Sequence, residues 1–422
     1  MNTQSNRTDT AAPTGSRAPY DVNLIRADFP ILFREIHGKP LVYLDNGASA
    51  QKPKAVLDAL HHAYAHEYAN VHRGLHYLSN TATAAFEKSR EITRRFLNAE
   101  HDDEIIFTRN TTGAINTVAS SFGQSFKAGD EIVLSILEHH ANIVPWHFLR
   151  ERRGCVLKWA PISESGEFLL EEFEKLLTKR TKIVALTQMS NVLGTRVPIK
   201  EVVKIAHARG IPVLVDGSQS AVHMPVDVQD LDCDFFCFTG HKTYGPTGTG
   251  VLYAKRAHLA VMPPYEGGGD MIESVAVDRI TYAKAPHKFE AGTPAIAEVI
   301  GLGAALNYMM QVGRERIALH EAGLRVYAHE RLGALNFLQI HGTAPDKGAI
   351  VSFSMQGLHP HDISTIIDRS GVAVRAGHHC AQPLMDRLGV TATCRASFGM
   401  YNTMAEVDAL ADALIKAHDF FA

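Results

Sequence analysis

The least ordinary chemical group in this sequence is a lysine set among glycines and hydroxyl residues. Lys242 lies in the segment TGHKTYGPTGTG (239–250), directly after an apolar run, FFCF (235–238), which is typical of a buried strand. Lysine is ordinarily a solvated surface residue. A lysine held inside the molecule at the end of a strand loses its proton readily and attacks carbonyl carbons. The alternative is a glycine-rich turn that points Lys242 to solvent.

Polar side chains follow several other apolar segments in the same way. Strand-like and helical segments alternate between residues 105 and 250, which predicts a mainly parallel sheet with helices on both faces. In such α/β folds, ligands bind beyond the carboxyl ends of the strands. Loops that are distant in sequence should therefore converge on one crevice, and the polar residues that follow apolar strands are Thr111, His139, Asn191, Asp216 and Lys242.

Three of these features together favour pyridoxal 5'-phosphate as a cofactor. Thr111 and Thr112 begin a predicted helix, where hydroxyls, N–H groups and the helix dipole suit a phosphate, although a plain helix cap also explains them. Asp216 ends a buried Val-Leu-Val strand, where it requires a cation or hydrogen-bond donors unless it caps the next helix. Lys242 lies 26 residues further on, about one strand–helix–strand unit. The lysine would form a Schiff base, and the carboxylate would pair with the pyridinium nitrogen.

Histidines offer two further interpretations of the same crevice. His139 or His140 could cover the face of the cofactor ring. Together with His378, His379 and Cys380 they also supply the atoms of a zinc site, but neither an HExxH motif nor paired CxxC spacing is present. We therefore predict no metal at this site.

Composition narrows the class of partner. The chain has 422 residues with a formal net charge of -3, from 42 basic and 45 acidic residues, so it has no field that would attract nucleic acid or an anionic membrane. Its apolar runs are too short to span a bilayer. Five cysteines in a chain of this length do not form a disulfide framework, which predicts a reducing, cytoplasmic setting.

The pattern of segments predicts three regions. Residues 1–19 are small and polar and are expected to be a disordered tail, with a transit peptide as the less favoured alternative. Residues 20–294 form a large cofactor-binding domain, whose N-terminal segment contributes to a smaller domain. Residues 295–422 begin with two long predicted helices and then mix strands with helices, which indicates a smaller α+β domain.

Five stretches closely resemble those of the SufS-type, group II cysteine desulfurases, which are class-V aminotransferase-like enzymes of fold type I. They are SNVLG (190–194), VDGSQS (215–220), TGHKTYGPTG (239–248), EAGTP (290–294) and RAGHHCAQPLM (375–385). The resemblance extends from about residue 22 to the C-terminus. It implies the fold-type I architecture, with a seven-stranded sheet in the large domain, and it implies pyridoxal 5'-phosphate, a homodimer and a SufE-like or SufU-like sulfur acceptor for iron–sulfur cluster assembly.

Cys380 distinguishes this reaction from others that use the same cofactor. It lies in a polar loop beside Arg375, where a thiolate is stabilised and exposed, unlike Cys237 in its apolar strand. The resemblance implies that Cys380 attacks the sulfur of a substrate L-cysteine joined to the cofactor, keeps that sulfur as a persulfide and releases L-alanine. The loop lacks the extra residues of group I enzymes, which implies slow turnover without an acceptor.

The remaining roles are implied by matching motifs. Lys242 resembles the Schiff-base lysine that also moves the proton at the substrate Cα. Around the ring, Asp216 resembles the pyridinium partner, Gln219 a donor to the phenolic oxygen and His139 the stacking acid/base. The residues that resemble phosphate ligands are Thr111, Thr112, Thr239, His241 and, from the other subunit, Thr293. The residues expected to bind substrate are Arg395, which resembles the residue that binds the substrate carboxylate, and Asn191, Arg375 and His72.

Two positions depart from the family pattern. Gly113 stands where a glutamate is common, and Thr239 replaces a more usual serine but keeps the hydroxyl. Two other functions stay open from the sequence: a selenocysteine lyase or other β-elimination enzyme, and a His/Cys metal-binding or cluster-scaffold protein.

Overall fold

The structure is a computed structural model that describes residues 20–421. The predicted disordered tail, residues 1–19, lies outside the described residues. The α-helices, in chain order, are α1 (Val22–Ala27), α2 (Lys54–His66), α3 (Tyr77–Leu97), α4 (Thr111–Ser121), α5 (Val144–Arg153), α6 (Leu170–Leu176), α7 (Ile199–His207), α8 (Ser220–His223), α9 (Val228–Leu231), α10 (Arg256–Val261), α11 (Ile296–Val312), α12 (Arg314–Gly333), α13 (Pro360–Asp368), α14 (Gln382–Leu388) and α15 (Met404–Phe421). Short 3-10 helices cover Pro30–Phe33, Asp102–Glu104, Phe122–Ser125, His140–Asn142 and His287–Phe289.

The strands alternate with helices between residues 105 and 239. In chain order they are β1 (Glu35–Ile36), β2 (Lys39–Pro40), β3 (Val42–Tyr43), β4 (Ile105–Thr108), β5 (Glu131–Ser135), β6 (Val156–Ala160), β7 (Thr181–Thr187), β8 (Val213–Asp216), β9 (Phe235–Thr239), β10 (Gly250–Ala254), β11 (Ile272–Val275), β12 (Ile280–Tyr282), β13 (Leu338–His341), β14 (Ile350–Met355), β15 (Val372–Ala373), β16 (Arg375–Gly377) and β17 (Thr393–Ser397).

The largest sheet has seven strands in the order β4-β10-β9-β8-β7-β5-β6. Strand β10 runs antiparallel to both of its neighbours, and the other six strands share one direction. The prediction of a mainly parallel seven-stranded sheet is therefore confirmed. Because six carboxyl ends meet at one edge, the loops that follow them gather there.

Both faces of this sheet are covered, as the pattern of β7 shows. Ile183 and Ala185 pack with residues of α4 and α5, whereas Val184 and Leu186 point to the opposite face and pack with residues of α7. All four side chains are fully buried. Successive residues of a strand face opposite sides of the sheet, so a run of apolar residues is what a strand covered on both sides requires.

A second, antiparallel sheet of four strands, β13-β14-β17-β16, packs with α12, α13 and α15 near the C-terminus. The N-terminal segment joins it: β3 pairs in parallel with β15, and Val42 and Leu44 are buried in the same apolar cluster as Leu410 and Leu414 of α15. Helix α11 instead packs against α2 and α3. The division of the chain at residues 294 and 295 stays a prediction.

Helix α3 begins at Tyr77 and has an unusual cap. The imidazole of His76 accepts a hydrogen bond from the Ser79 N–H at 3.3 Å, and so acts as the helix cap. Histidine is not among the residues that usually cap helices, so the sequence gives no standard cap signal at this position.

Candidate active site

The loops after the parallel strands surround a cavity of about 360 Å³, a size in the ordinary range for small-ligand sites. The structure brings together twelve of the fourteen residues that the sequence nominated. They are Thr111, Thr112, His139, Asn191, Asp216, Gln219, Thr239, His241, Lys242, Arg375, Cys380 and Arg395.

Lys242 follows the end of β9 and lines this cavity. Burial lowers its pKa to about 8, because the surroundings disfavour the charged ammonium. The nearby Asp216 carboxylate opposes this shift by favouring the charged form, and the Arg395 guanidinium adds to it. A substantial fraction of the Lys242 side chains is therefore neutral near physiological pH, as an amine nucleophile requires.

Asp216 is the last residue of β8 and is buried. Its Oδ1 accepts hydrogen bonds from the backbone N–H of Ser218 at 2.9 Å and from the Ser218 hydroxyl at 2.6 Å. The same hydroxyl oxygen lies 2.9 Å from Thr111 Oγ1. Ser218 thus joins the buried carboxylate to the start of α4, and it is a site residue that the sequence analysis did not nominate, although it lies in the quoted VDGSQS motif.

The start of α4 presents backbone N–H groups to the cavity. The Asn110 side chain accepts a hydrogen bond from the Gly113 N–H at 2.9 Å and caps the helix, and Asn110, Thr111 and Thr112 line the cavity wall. The first N–H groups of a helix have no partner within the helix, and the helix dipole makes this end positive. An anion such as a phosphate ester is therefore stabilised here.

Three residues that line the cavity have buried polar atoms without a hydrogen-bond partner among the described residues. Gln219 donates through Nε2 to the Gly47 carbonyl oxygen at 2.8 Å, whereas its Oε1 is unpaired. The Nε of Arg395 and the Nδ1 of His379 are unpaired as well. Buried polar atoms normally have hydrogen-bond partners, so these atoms indicate that the cavity is built for a polar ligand.

His139 is held in one tautomer by its own loop. Its Nδ1 accepts a hydrogen bond from the Ala141 N–H at 3.0 Å, so in the neutral ring the proton is on Nε2. Burial, together with the charges of Lys242, His140 and Arg395, lowers the pKa of His139 to about 3. The imidazole is therefore neutral at physiological pH, which suits a ring that covers a cofactor.

Glu138, which precedes His139, holds this loop in place through hydrogen bonds. Its carboxyl contacts the Ser135 hydroxyl at 2.5 Å, the Asn142 side-chain amide at 2.7 Å and the Thr187 N–H at 3.0 Å. Burial raises the pKa of Glu138 to about 8, against the effect of these hydrogen bonds. The loop between β5 and α5 is therefore fixed through a fully buried polar group.

Two arginines that line the cavity share one carboxylate, that of Asp45. Arg395 is buried and donates to the backbone oxygen of Asn191 at 2.9 Å, and its Nη2 lies 3.5 Å from Asp45 Oδ1. Arg375 is half-exposed and contacts Asp45 through two nitrogens, at 2.6 Å and 3.3 Å. Burial lowers the pKa of Arg395 to about 10. Both guanidiniums are positively charged at neutral pH and can receive a carboxylate.

Cys380 lies in the loop between β16 and α14 and is the exposed member of the five cysteines. His379 and Cys380 both have left-handed backbone angles, with φ of 52° and 54°. Residues other than glycine seldom adopt this region, and such strain is common at functional sites. The loop is held by two contacts from the large-sheet side: His140 N–H to the Cys380 carbonyl at 2.7 Å, and Asn191 Nδ2 to the His379 carbonyl at 2.8 Å.

Two of the nominated residues lie away from this cavity. Thr293 lines a separate depression, together with Gly113 and Glu290. His72 contacts Glu87 at 2.8 Å through Nε2 and packs its ring against His287, with centroids 5.0 Å apart. Within the described residues neither side chain lines the cavity of Lys242, and their roles at the site stay predictions.

The described residues contain no group of three or more His, Cys, Asp or Glu side chains arranged to hold a metal ion. The metal-binding alternative therefore receives no support from the part of the chain that the structure covers. None of the helices within residues 20–421 is long and apolar enough to cross a membrane.

The donor set fits pyridoxal 5'-phosphate. A neutral lysine, a buried carboxylate, a helix N-terminus and a neutral imidazole are the groups that its aldehyde, ring nitrogen, phosphate and ring face require. The fold and the cavity together define a pyridoxal-phosphate enzyme of fold type I.

Comparison with known proteins identifies the family. The class-V aminotransferase family model matches residues 42–410. A probable cysteine desulfurase of Halalkalibacterium halodurans is 50% identical over 399 residues, which cover 94% of this chain and 98% of that protein. The chain belongs to the aminotransferase class-V family and, within it, to the cysteine desulfurases, and this membership confirms the prediction of pyridoxal 5'-phosphate.

Solved structures agree with this assignment. The cysteine desulfurase CsdA (S-sulfonic acid) from Escherichia coli superimposes with a TM-score of 0.89 at 40% identity, covering 96% of this chain and 100% of that one. The apo structure of a cysteine desulfurase from Thermococcus onnurineus superimposes with a TM-score of 0.90 at 39% identity, covering 94% and 98%.

Proposed function

We propose that this protein converts L-cysteine to L-alanine and that Cys380 receives the sulfur as a persulfide. The observation that carries this proposal is the position of the exposed Cys380 at the cavity of Lys242. The other four cysteines are buried. A thiol that is to take a sulfur atom from a bound substrate and pass it on must reach both the cavity and the solvent.

Different side chains of the cavity would bind different parts of the cofactor and the substrate. Lys242, Asp216, Gln219 and His139 would hold the ring of the cofactor, and Thr111, Thr112, Thr239 and His241 would hold its phosphate; all eight residues line the cavity. Arg395, with Asn191 and Arg375, receives the α-carboxylate of the substrate. Bound pyridoxal 5'-phosphate supplies the electron sink that weakens the bonds at the substrate Cα.

The neutral amine of Lys242 is suited to take the proton from Cα and to return one later, because its pKa lies near the working pH. The Cys380 thiolate attacks the substrate sulfur. The C–S bond of the substrate breaks, an S–S bond forms at Cys380, and Cβ gains a proton to give L-alanine. Atoms and electrons balance without an added oxidant, because the carbon is reduced as the sulfur becomes part of a persulfide.

A protein acceptor is needed to complete the cycle. We propose a SufE-like or SufU-like acceptor that serves iron–sulfur cluster assembly, as expected for a group II enzyme. The strained loop of His379 and Cys380 supports this, because its backbone is tied on both sides and gives the cysteine little freedom to turn over alone.

We also propose a homodimer in which Thr293 reaches the phosphate position of the partner subunit. In support, Thr293 is exposed and lies outside the cavity of its own chain. Leu75 and Tyr77 are 97% and 77% exposed, so apolar surface is available for a partner. Five unpaired cysteines favour a reducing cytoplasm as the location.

The test is mass spectrometry of the holoenzyme after treatment with L-cysteine, together with an assay of L-alanine. The peptide that contains Cys380 should gain one sulfur atom. Cys380→Ala should lose alanine formation, whereas Cys155→Ala, which changes a buried cysteine, should retain it. If Cys380→Ala forms alanine at the full rate, the proposal is wrong, and a selenocysteine lyase or another β-elimination becomes the better explanation.

A further inference from the structure

Arg375 and Arg395, the two arginines that line the cavity, lie on neighbouring strands. In the antiparallel pair of β16 and β17, Arg375 lies directly opposite Arg395. Like charges at directly opposite positions of a sheet repel each other. A negative charge nearby, from a ligand or from the protein itself, relieves this repulsion.

Asp45 supplies that charge from the other end of the chain. Its Oδ2 contacts Arg375 Nη2 at 2.6 Å, and its Oδ1 lies 3.3 Å from Arg375 Nε and 3.5 Å from Arg395 Nη2. One carboxylate thus bridges both guanidiniums. We call Asp45, Arg375 and Arg395 the carboxylate clamp.

The backbone holds Asp45 firmly at this position. Asp45 pairs with Ser397 in a parallel bridge, and its carbonyl oxygen accepts hydrogen bonds from the N–H groups of Ala48 and Ser49 at 3.1 Å and 3.3 Å. The residue is only 9% exposed. Asp45 is joined to the cavity through Arg375 and Arg395, which both line it.

Charge in such a buried site determines which ligands bind. Two guanidiniums carry two positive charges, and Asp45 reduces the net charge of the clamp to one. A clamp with one net charge is complementary to one carboxylate. An amino acid with a second negative charge on its side chain would bring that charge close to the clamp without a matching cation, and unpaired like charges in a desolvated site suppress binding.

We propose that Asp45 is a specificity-determining residue that restricts the clamp to amino acids with a single negative charge. This proposal rests on the proposed function, because it assumes that the clamp binds the α-carboxylate of the substrate. The alternative is a purely structural role, in which Asp45 only relieves the repulsion between β16 and β17.

L-Aspartate and L-asparagine separate these roles, because they are nearly the same size and differ by one charge. Their dissociation constants for the holoenzyme are measured by calorimetry, and the ratio of the two is the readout. In Asp45→Asn the ratio should shift toward aspartate by about tenfold, which corresponds to about 1.4 kcal/mol. Asp103→Asn removes one carboxylate charge from the Asp103–Arg256 ion pair at the surface and should leave the ratio unchanged.

Arg375→Gln is the second variant, and it removes a positive charge from the clamp while Asp45 remains. It should shift the ratio in the opposite direction, away from aspartate. It also keeps the proposal testable if Asp45→Asn does not fold. A purely structural role would weaken both ligands equally in either variant, and an unchanged ratio in both variants overturns the proposal.

Wild-type controls separate this inference from the proposed function. If the wild-type holoenzyme forms L-alanine from L-cysteine but the ratio does not move in either variant, only the role of Asp45 is wrong. If the wild type neither forms L-alanine from L-cysteine nor binds L-alanine, the proposed function itself fails.

Discussion

The backbone N–H of His140 donates a hydrogen bond to the carbonyl oxygen of Cys380 at 2.7 Å. This bond joins the loop after β5 to the loop after β16, and so connects the two sheets at Cys380. The His140 ring adds two contacts: its Nε2 accepts from the Gln382 N–H at 3.3 Å, and the ring lies 5.6 Å from the His378 ring. The position of Cys380 therefore depends on residues more than 200 positions earlier in the chain.

His140→Ala should loosen this loop, because it removes the ring contacts while the backbone bond to Cys380 remains. One neutral hydrogen bond contributes about 1 kcal/mol, so the open state of the loop should become about fivefold more populated. The measurement is the rate at which iodoacetamide alkylates Cys380. His147→Ala on α5 is the control and should leave the rate unchanged. No acceleration in His140→Ala would mean that the backbone contacts alone hold the loop.

Uptake of pyridoxal 5'-phosphate by the apoprotein should depend on the protonation of Lys242. The amine must be neutral to attack the aldehyde carbon, and burial lowers the pKa of Lys242 to about 8. The rate of uptake, followed by absorbance, should therefore rise with pH and level off above about pH 8, and not near pH 10 as for an exposed lysine. Asp216→Asn should move the midpoint to lower pH, because Asp216 raises this pKa. A midpoint that does not move would contradict the coupling between the two residues.

His379 should make the fold less stable in mild acid. Burial lowers the pKa of His379 from 6.5 to about 3, with a further contribution from Arg395. The unfolded chain binds the proton first as the pH falls, so this contribution to stability is complete above about pH 6.5 and is lost progressively toward pH 3. Between about pH 6.5 and 5.5 the loss is about 1 kcal/mol.

Thermal unfolding of the wild type and of His379→Gln at several pH values tests this expectation. The variant should be less sensitive to acid between about pH 6.5 and 5.5, because glutamine does not titrate. Asp346→Asn at an exposed ion pair is a control that should retain the wild-type slope. Equal slopes in the wild type and in His379→Gln would show that the folded protein accommodates the protonated ring.

Gly113 should tolerate a side chain, although a charged residue is common there in the family. A Cβ at this position would meet its nearest atoms at 3.7 Å, which is an ordinary contact distance, and the position lies within the first turn of α4. Gly113→Ala should therefore raise the free energy of unfolding by up to about 1 kcal/mol. Gly248→Ala is the matched contrast, since its φ of 77° disfavours any side chain, and it should lower the stability. Denaturant titrations measure both, and a destabilised Gly113→Ala would indicate a contact that requires glycine.

The local pattern of the sequence predicted the strand ends well. Lys242 and Asp216 each follow an apolar strand, and both line one cavity, because parallel strands bring their carboxyl ends to the same edge of a sheet. Predicting these strand ends requires only the period of two of the side chains in a strand and the alternation of strands with helices. The same argument does not apply to His72, because its loop precedes the first strand of the large sheet. Its ring lies against His287.

By itself, the sequence determined the class of fold and the cofactor, because these depend on the alternation of strands with helices and on short segments at strand ends. It also nominated Lys242 and Cys380 as the reactive residues. Only the tertiary structure brought Asp45 between Arg375 and Arg395, since these residues lie more than 300 positions from it in the chain. It likewise decided the protonation of Lys242 and His139, because a pKa depends on burial and on nearby charges from distant segments. Charge and desolvation act through space, and a linear pattern contains no distances between residues that are far apart in the chain.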